Sequence, residues 1–156
     1  MSTDADSVPG RVDPDGAPYP ERAIPILMGT PIAFVTTMRP DGRMSTNPVA
    51  MHFDGRRVRF STVRTRKKTR NLEADERITL CVVQTDNYNR YVEIRGRAVL
   101  DDDTDRSFID NIAKVYMGAD RYPFDQPGDE RVTVTVIPEQ ISCPAIPLSD
   151  DPPYQG

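Results

Sequence analysis

The chain has 156 residues, enough for one domain with a sizeable core and too few for two. Its formal charge of −4, from 24 acidic and 20 basic side chains, argues against a general nucleic-acid binder, whose electrostatic footprint is basic. The apolar fraction is a lean 37 % with 15 prolines, and no apolar run approaches the roughly 20 residues of a membrane-spanning helix.

The prolines crowd the two ends, where apolar periodicity is lacking. Residues 1–19, MSTDADSVPGRVDPDGAPY, are expected to form a flexible N-terminal tail, and 144–156 a C-terminal one. They flank the folded domain expected at 20–143. The N-terminus is acidic and has no apolar signal region, and neither Cys81 nor Cys143 is expected to form a disulfide. Cys81 lies in an apolar run and reads as a buried free thiol. The expected compartment is the cytoplasm.

Residues 20–29, PERAIPILMG, read as a short helix with proline at its first turn and glycine at its end; Pro25 shortens or kinks it. PIAFVTTM (31–38) is rich in β-branched and aromatic residues and predicts a strand. Pro40-Asp41-Gly42 suits a tight turn, and MSTNPVAMHF (44–53) predicts a second strand in which Pro48 marks an edge or a bulge. Asp54-Gly55 signals another hairpin. RVRFSTV (57–63) predicts a third strand, with Val58 and Phe60 on one face and Arg59 on the other. RITLCVVQ (77–84) predicts a strand apolar on both faces. In YVEIRGRAVL (91–100), Val92, Ile94, Ala98 and Leu100 oppose Glu93, Arg95 and Arg97. Residues 103–117 predict a helix with an acidic start, Lys114 near its end and Gly118 after it, as a helix dipole favours. RVTVTVIPEQI (131–141) is the last strand. Six short strands joined mostly by hairpins, with two or three helices, make the chain mainly β and point to an antiparallel barrel.

Between the third and fourth strands, RTRKKTRNL (64–72) places Arg64, Arg66, Lys67, Lys68 and Arg70 within seven residues. The segment predicts a helix start with Thr65 as N-cap. A helix N-terminus already carries about half a positive charge, so cations there are unfavourable by a few tenths of a kcal/mol each. A bound anion reverses that sign, because free N–H groups and Arg forks make a phosphate site. Ser61 and Thr62, at the end of the preceding strand, can offer hydroxyls to the same phosphate. The alternative is a solvated basic turn balanced by Glu73, Asp75 and Glu76.

The stretches VTTMRPDGRMSTNPV, VRFSTVRTRKKTRNLEADERITLCV and YVEIRGRAVL resemble the pyridoxamine-phosphate-oxidase-like split β-barrel family, and within it the small actinobacterial flavin and deazaflavin oxidoreductases. The resemblance spans roughly residues 24–141. Its most specific part is Ser61-Thr62 followed by Arg-x-Lys-x-x-Asn-Leu from Arg66 to Leu72. It implies a six-stranded split β-barrel of the FMN-binding type, and a homodimer with two cofactor sites at the interface. The ring would lie along strands carrying Asn47, Pro48, Val49, Ser61 and Thr62. The phosphate would be held by Arg66 and Lys68, with Arg64, Lys67 and Asn71 nearby. Two departures stand out. Asp75-Glu76-Arg77 replaces the usual Asp-Pro-Arg, and the substrate-phosphate motif of vitamin B6 oxidases is not apparent in PPYQG.

No catalytic side chain is singled out. His52, the one histidine, sits beside Phe53 and reads as structural rather than as a proton donor. Tyr88, Tyr91, Tyr116 and Tyr122 read as packing residues that could instead wall a ring. No metal site is expected, since no ligand set has suitable spacing and DDDTD reads as a helix start. No G-x-G-x-x-G is present. The expected function is a coenzyme F-420 (deazaflavin) oxidoreductase passing hydride to an unsaturated small-molecule substrate, with no nucleic-acid or membrane partner. Five cations exceed what one phosphate needs and suit the polyanionic deazaflavin tail, and 17 Arg against 3 Lys fit a GC-rich, actinobacterial genome. The alternatives are an FMN-dependent oxidase or reductase of the same fold, or a non-catalytic protein that binds a cofactor or tetrapyrrole.

Overall fold

The computed structural model describes residues 16–29 and 31–144. The tails expected at 1–19 and 144–156 fall mostly outside these residues. Where the N-terminal stretch is described, it is bound to the domain: the Ala17 amide donates to the Pro138 carbonyl at 2.7 Å, and Tyr19 packs edge-on against Phe53 with ring centroids 5.3 Å apart.

Six strands are present: β1 (Ile32–Met38), β2 (Met44–Phe53), β3 (Val58–Val63), β4 (Arg77–Gln84), β5 (Asn87–Asp102) and β6 (Arg131–Ser142). They close into a barrel in the order β1-β2-β3-β6-β5-β4, and every neighbouring pair is antiparallel. The period-two alternation of side chains turns Val35, Phe60, Leu80, Val82, Val92, Ile94, Val134 and Val136 inward, where they are fully buried. This is the expected mainly β, antiparallel six-stranded barrel.

Three expectations shift in detail. The helix expected at 20–29 is a 3-10 turn (Glu21–Ala23) running into a five-residue helix α1 (Ile24–Met28), because Pro25 can sit only in an α-helix's first turn. Ile26 and Leu27 of α1 join the barrel core. The fifth strand extends well past 91–100, since β4 pairs with it back to Asn87 and β6 forward to Asp102. It bends at a bulge beside Gly96, where a Cβ would meet the Ile137 carbonyl oxygen at 2.0 Å; only glycine fits. Finally, the helix expected at 103–117 is α3 (Ser107–Met117). Asp103 lies outside it and caps it, accepting from the amides of Phe108 and Ile109 at 3.1 and 2.9 Å. Asp105 adds to this by accepting from the Ser107 amide at 3.0 Å, whereas Asp101 and Asp102 belong to β5. Among the described residues no cluster of His, Cys, Asp or Glu could hold a metal ion.

Both cysteines are free. Cys81 corrects the expectation of a buried thiol. Strand alternation turns it outward beside Phe34 and Glu93, half-buried, whereas Cys143 is the buried one. No helix among the described residues is long and apolar enough to cross a membrane.

Candidate functional site

On the outer face of the barrel, alternation brings Pro48 and Ala50 of β2, Ser61 and Val63 of β3 and Arg131 of β6 to the same side. Helix α2 (Lys67–Ala74) begins just beyond β3, and α3 packs against β2, β3 and β6. Between them lies a cleft of about 270 Å3. Its apolar wall is Pro48, Val49 and Ala50 on one side and Ile109 and Ile112 of α3 on the other. Its polar end is formed by Ser61, Arg66, Lys68, Tyr122 and Arg131.

Helix α2 starts without a side-chain cap. Its N-cap is Arg66, not the expected Thr65, and no side chain accepts from its first turn. The Thr69 and Arg70 amides bond back to the Arg66 carbonyl, at 3.1 and 3.2 Å. What fixes the helix is underneath it. The Thr69 hydroxyl donates to the Val63 carbonyl at 2.7 Å, so in its 3.1 Å contact with Thr62 it is Thr62 that donates. Asn71 is buried and donates to Thr37 of β1 at 3.0 Å.

These bonds sort the expected binding residues. Pro48, Ser61, Arg66 and Lys68 line the cleft, and Val49 borders it from the inward strand face, where it packs against the core. Thr62 borders it, but its hydroxyl is turned into the barrel and engaged with Thr69, so of the two β3 hydroxyls it is that of Ser61 that faces the cleft. Asn71 anchors α2 from below instead of facing the cleft. Asn47 is the cross-strand neighbour of fully buried Val35, on the opposite strand face from Pro48. Lys67 is exposed on the helix, outside the cleft lining. Arg64 is turned away, donating to Glu73 at 2.9 Å and pairing with Asp102.

The charge balance of the cleft is one-sided. Its lining contains three cations, Arg66, Lys68 and Arg131, and no carboxylate. Several arginines elsewhere find partners: Arg59 with Asp54, Arg77 with Asp75, Arg95 with Glu93 and Arg97 with Glu76. Arg66 and Lys68 form no ion pair with any described residue. Burial, and then the charge of Arg66, depress the Lys68 pKa below its ordinary value. The cleft therefore holds positive charge that a bound anion would relieve.

Arg131 was not among the residues expected at the site. Its Nε donates to both oxygens of Asp125, at 2.9 and 3.1 Å, and Nη2 pairs with the same carboxylate. Its guanidinium carbon lies 4.6 Å from the centre of the Tyr122 ring, a cation–π contact. Nη1 faces Ser61 Oγ at 3.4 Å. Tyr122, read from sequence as a packing residue, thus borders the cleft. The Tyr116 hydroxyl is taken up by backbone, meeting the carbonyls of Pro31 and Met51 at 2.9 and 2.5 Å. His52 packs edge-on against Phe108, at 6.4 Å between ring centres, which is a structural role.

The sequence profile of the pyridoxamine 5'-phosphate oxidase family matches residues 19–142. A solved structure described as an F420 reductase superposes with a TM-score of 0.70 at 29 % identity, covering 80 % of this chain and 98 % of its own. General Stress Protein 26 from Bacillus anthracis strain Sterne superposes at 0.59 with 20 % identity, covering 78 % of this chain and 89 % of its own. A pyridoxamine 5'-phosphate oxidase-related, FMN-binding protein from Nostoc punctiforme PCC 73102 does so at 0.52 with 14 % identity, covering 70 % and 71 %. The last two likenesses bear on the fold alone.

Proposed function

The chain belongs to the pyridoxamine 5'-phosphate oxidase family, and from that premise we propose that it is a coenzyme F-420-dependent oxidoreductase acting on an unsaturated small molecule. The observation that carries this reading is the cleft with three cations, no carboxylate and an apolar wall. It suits a flat ring joined to an anionic tail. The likeness to an F420 reductase at 29 % identity supports the deazaflavin over FMN.

Under this reading Pro48, Ala50, Ile109 and Ile112 would hold the ring, with Val49 bordering it, and Arg66 and Lys68 would hold the phosphate with Ser61. When bound, the cofactor supplies hydride chemistry, so the protein's contribution is orientation and electrostatics. Arg66 and Lys68 would hold the anionic group, and the apolar wall would exclude water from the rest of the cleft. No side chain is assigned to proton transfer.

The proposal includes a homodimer in the cytoplasm. At about 270 Å3 the cleft falls just short of the roughly 300–1,000 Å3 of ordinary ligand sites, and a second protomer would deepen it. On the outward face of β1, Phe34 is 42 % exposed and pairs across the strands with Pro48, which lines the cleft. Met44, 70 % exposed, lies on the same outward face beyond the Thr36–Thr46 pair. Burying that face against a second copy would complete both sites.

A fluorescence titration of the purified protein with F-420 and FMN side by side tests the assignment. Binding of F-420 at micromolar or lower concentration, tighter than FMN, is expected. Tighter FMN binding would favour the FMN-dependent oxidase or reductase, and binding of either without turnover of any reducible substrate would favour a carrier.

A further inference from the structure

Arg131 reaches the cleft from β6, beside the turn that leads into α2. It stands on β6, directly across from Val63 at the end of β3, and the Arg64 amide bonds to the neighbouring Glu130 carbonyl at 2.9 Å. The β6 start and the β3–α2 turn are therefore clamped together, so Arg131 and the start of α2 flank one spot. The Arg131 side chain is 9 % exposed and that of Asp125 is 10 % exposed. Such a pair normally engages a guanidinium completely. Here it does not. Asp125 takes the Nε and Nη2 edge, and Arg106 shares that carboxylate from the other side. Nη1 meets Ser61 at a long 3.4 Å, a distance at which a hydrogen bond is weak, and the Tyr122 ring lies against the guanidinium. One edge of the fork is locked, and the other presents donors to the cleft from a fixed position.

Arg106, which shares Asp125, also meets Asp110 at 4.0 Å, so the two arginines have two carboxylates between them. Asp125 nevertheless engages only one edge of Arg131, and the other edge adds its charge to that of Lys68 and Arg66 in a cleft lined by no carboxylate. That arrangement suits an anion. A preorganised guanidinium loses little side-chain freedom on binding, and bonds from a charged donor to a phosphate oxygen are the strong kind. We infer that Arg131, held by Asp125 and Tyr122, is a further ligand of the cofactor's phosphate group, gripping it from β6 while Arg66 and Lys68 grip it from α2. This rests on the reading of the cleft as the cofactor site.

The test compares each ligand with its own ring lacking the phosphate: F-420 against the deazaflavin riboside, and FMN against riboflavin. Affinities are read by fluorescence for wild type, Arg131→Met and Arg131→Lys, with thermal melts of the ligand-free proteins to confirm folding. Arg131→Met should weaken the phosphate-bearing ligand about tenfold or more and leave the phosphate-free ring within about twofold. Arg131→Lys keeps a buried cation beside Asp125, so it remains folded if the Met variant does not. It loses the second edge of the fork, and should weaken the same ligand at least about threefold. Unchanged affinity for the phosphate-bearing ligand in the folded variants overturns the inference while leaving the cofactor reading intact. So does an equal loss for both ligands of a pair, which would place Arg131 at the ring. Failure of the wild type to bind F-420 or FMN overturns both.

Discussion

The side-chain amide of Asn71 donates to the hydroxyl of Thr37 at 3.0 Å, and both residues are 1 % exposed. This bond ties α2 to β1 beneath the cleft. It makes Asn71 a determinant of where Arg66 and Lys68 sit and gives it no contact with a ligand. Asn71→Ala should cost about 1–3 kcal/mol of stability, because Thr37 loses its partner inside the barrel wall. Thermal or urea unfolding checks this. A stability unchanged by the substitution would show that the bond does not hold the helix.

Arg66→Ala and Lys68→Ala should each weaken F-420 binding by about 1.5–3 kcal/mol, or roughly 10- to 150-fold. Arg64→Ala should change it little, since Arg64 is engaged with Glu73 and Asp102. The ligand-free Arg66 and Lys68 variants should be no less stable than wild type, because like charges at a helix start are relieved. Calorimetric titration of the three variants separates them. Equal losses for all three would mean that the cations act as a diffuse positive surface and not as placed ligands.

The Asp125 carboxyl is held below its ordinary value of 3.8, chiefly by the hydrogen bond from Arg131, with Arg106 adding to it against the upward push of burial. A carboxyl depressed in the folded state stabilises the fold fully above its unfolded-state pKa, and that contribution is lost as pH falls through the lower, folded-state value. Asp125→Asn should therefore be less stable than wild type at neutral pH, by up to about 3–5 kcal/mol. The gap should narrow below pH 3.8. Melts of both proteins across the acid range measure it. A gap that stays constant down to the lowest pH at which both fold would show that the ion pair is not its source.

Phe34 pairs across the strands with Pro48 and faces outward at 42 % exposure. Phe34→Glu should convert a species of twice the 17.5 kDa chain mass into the monomer, and weaken F-420 binding in step, because the proposed interface borders the cleft. Sedimentation of wild type and variant at micromolar concentration reads the first effect, and titration the second. A wild type that sediments as a monomer would remove the dimer from the proposal.

Much of this architecture is local and was legible in order along the chain. Strand alternation, turn residues such as Asp41-Gly42 and Asp54-Gly55, and the helix-ending Gly118 each act within a few residues, so the six strands and three helices follow from the sequence. So does the accumulation of cations at 64–70, whose unfavourable position at a helix start is itself the signal. Local pattern could not say which of those cations face a ligand. Arg64 is drawn off by Asp102, 38 residues away, and Thr62 is turned inward by the parity of β3. Arg131 enters the cleft only because β6 pairs with β3 in a register that sets it opposite Val63, bringing it to Ser61 from 70 residues away. Register is chosen by barrel closure, which buries alternate residues of both strands at once, so the third cation of the site was decided by the tertiary structure alone.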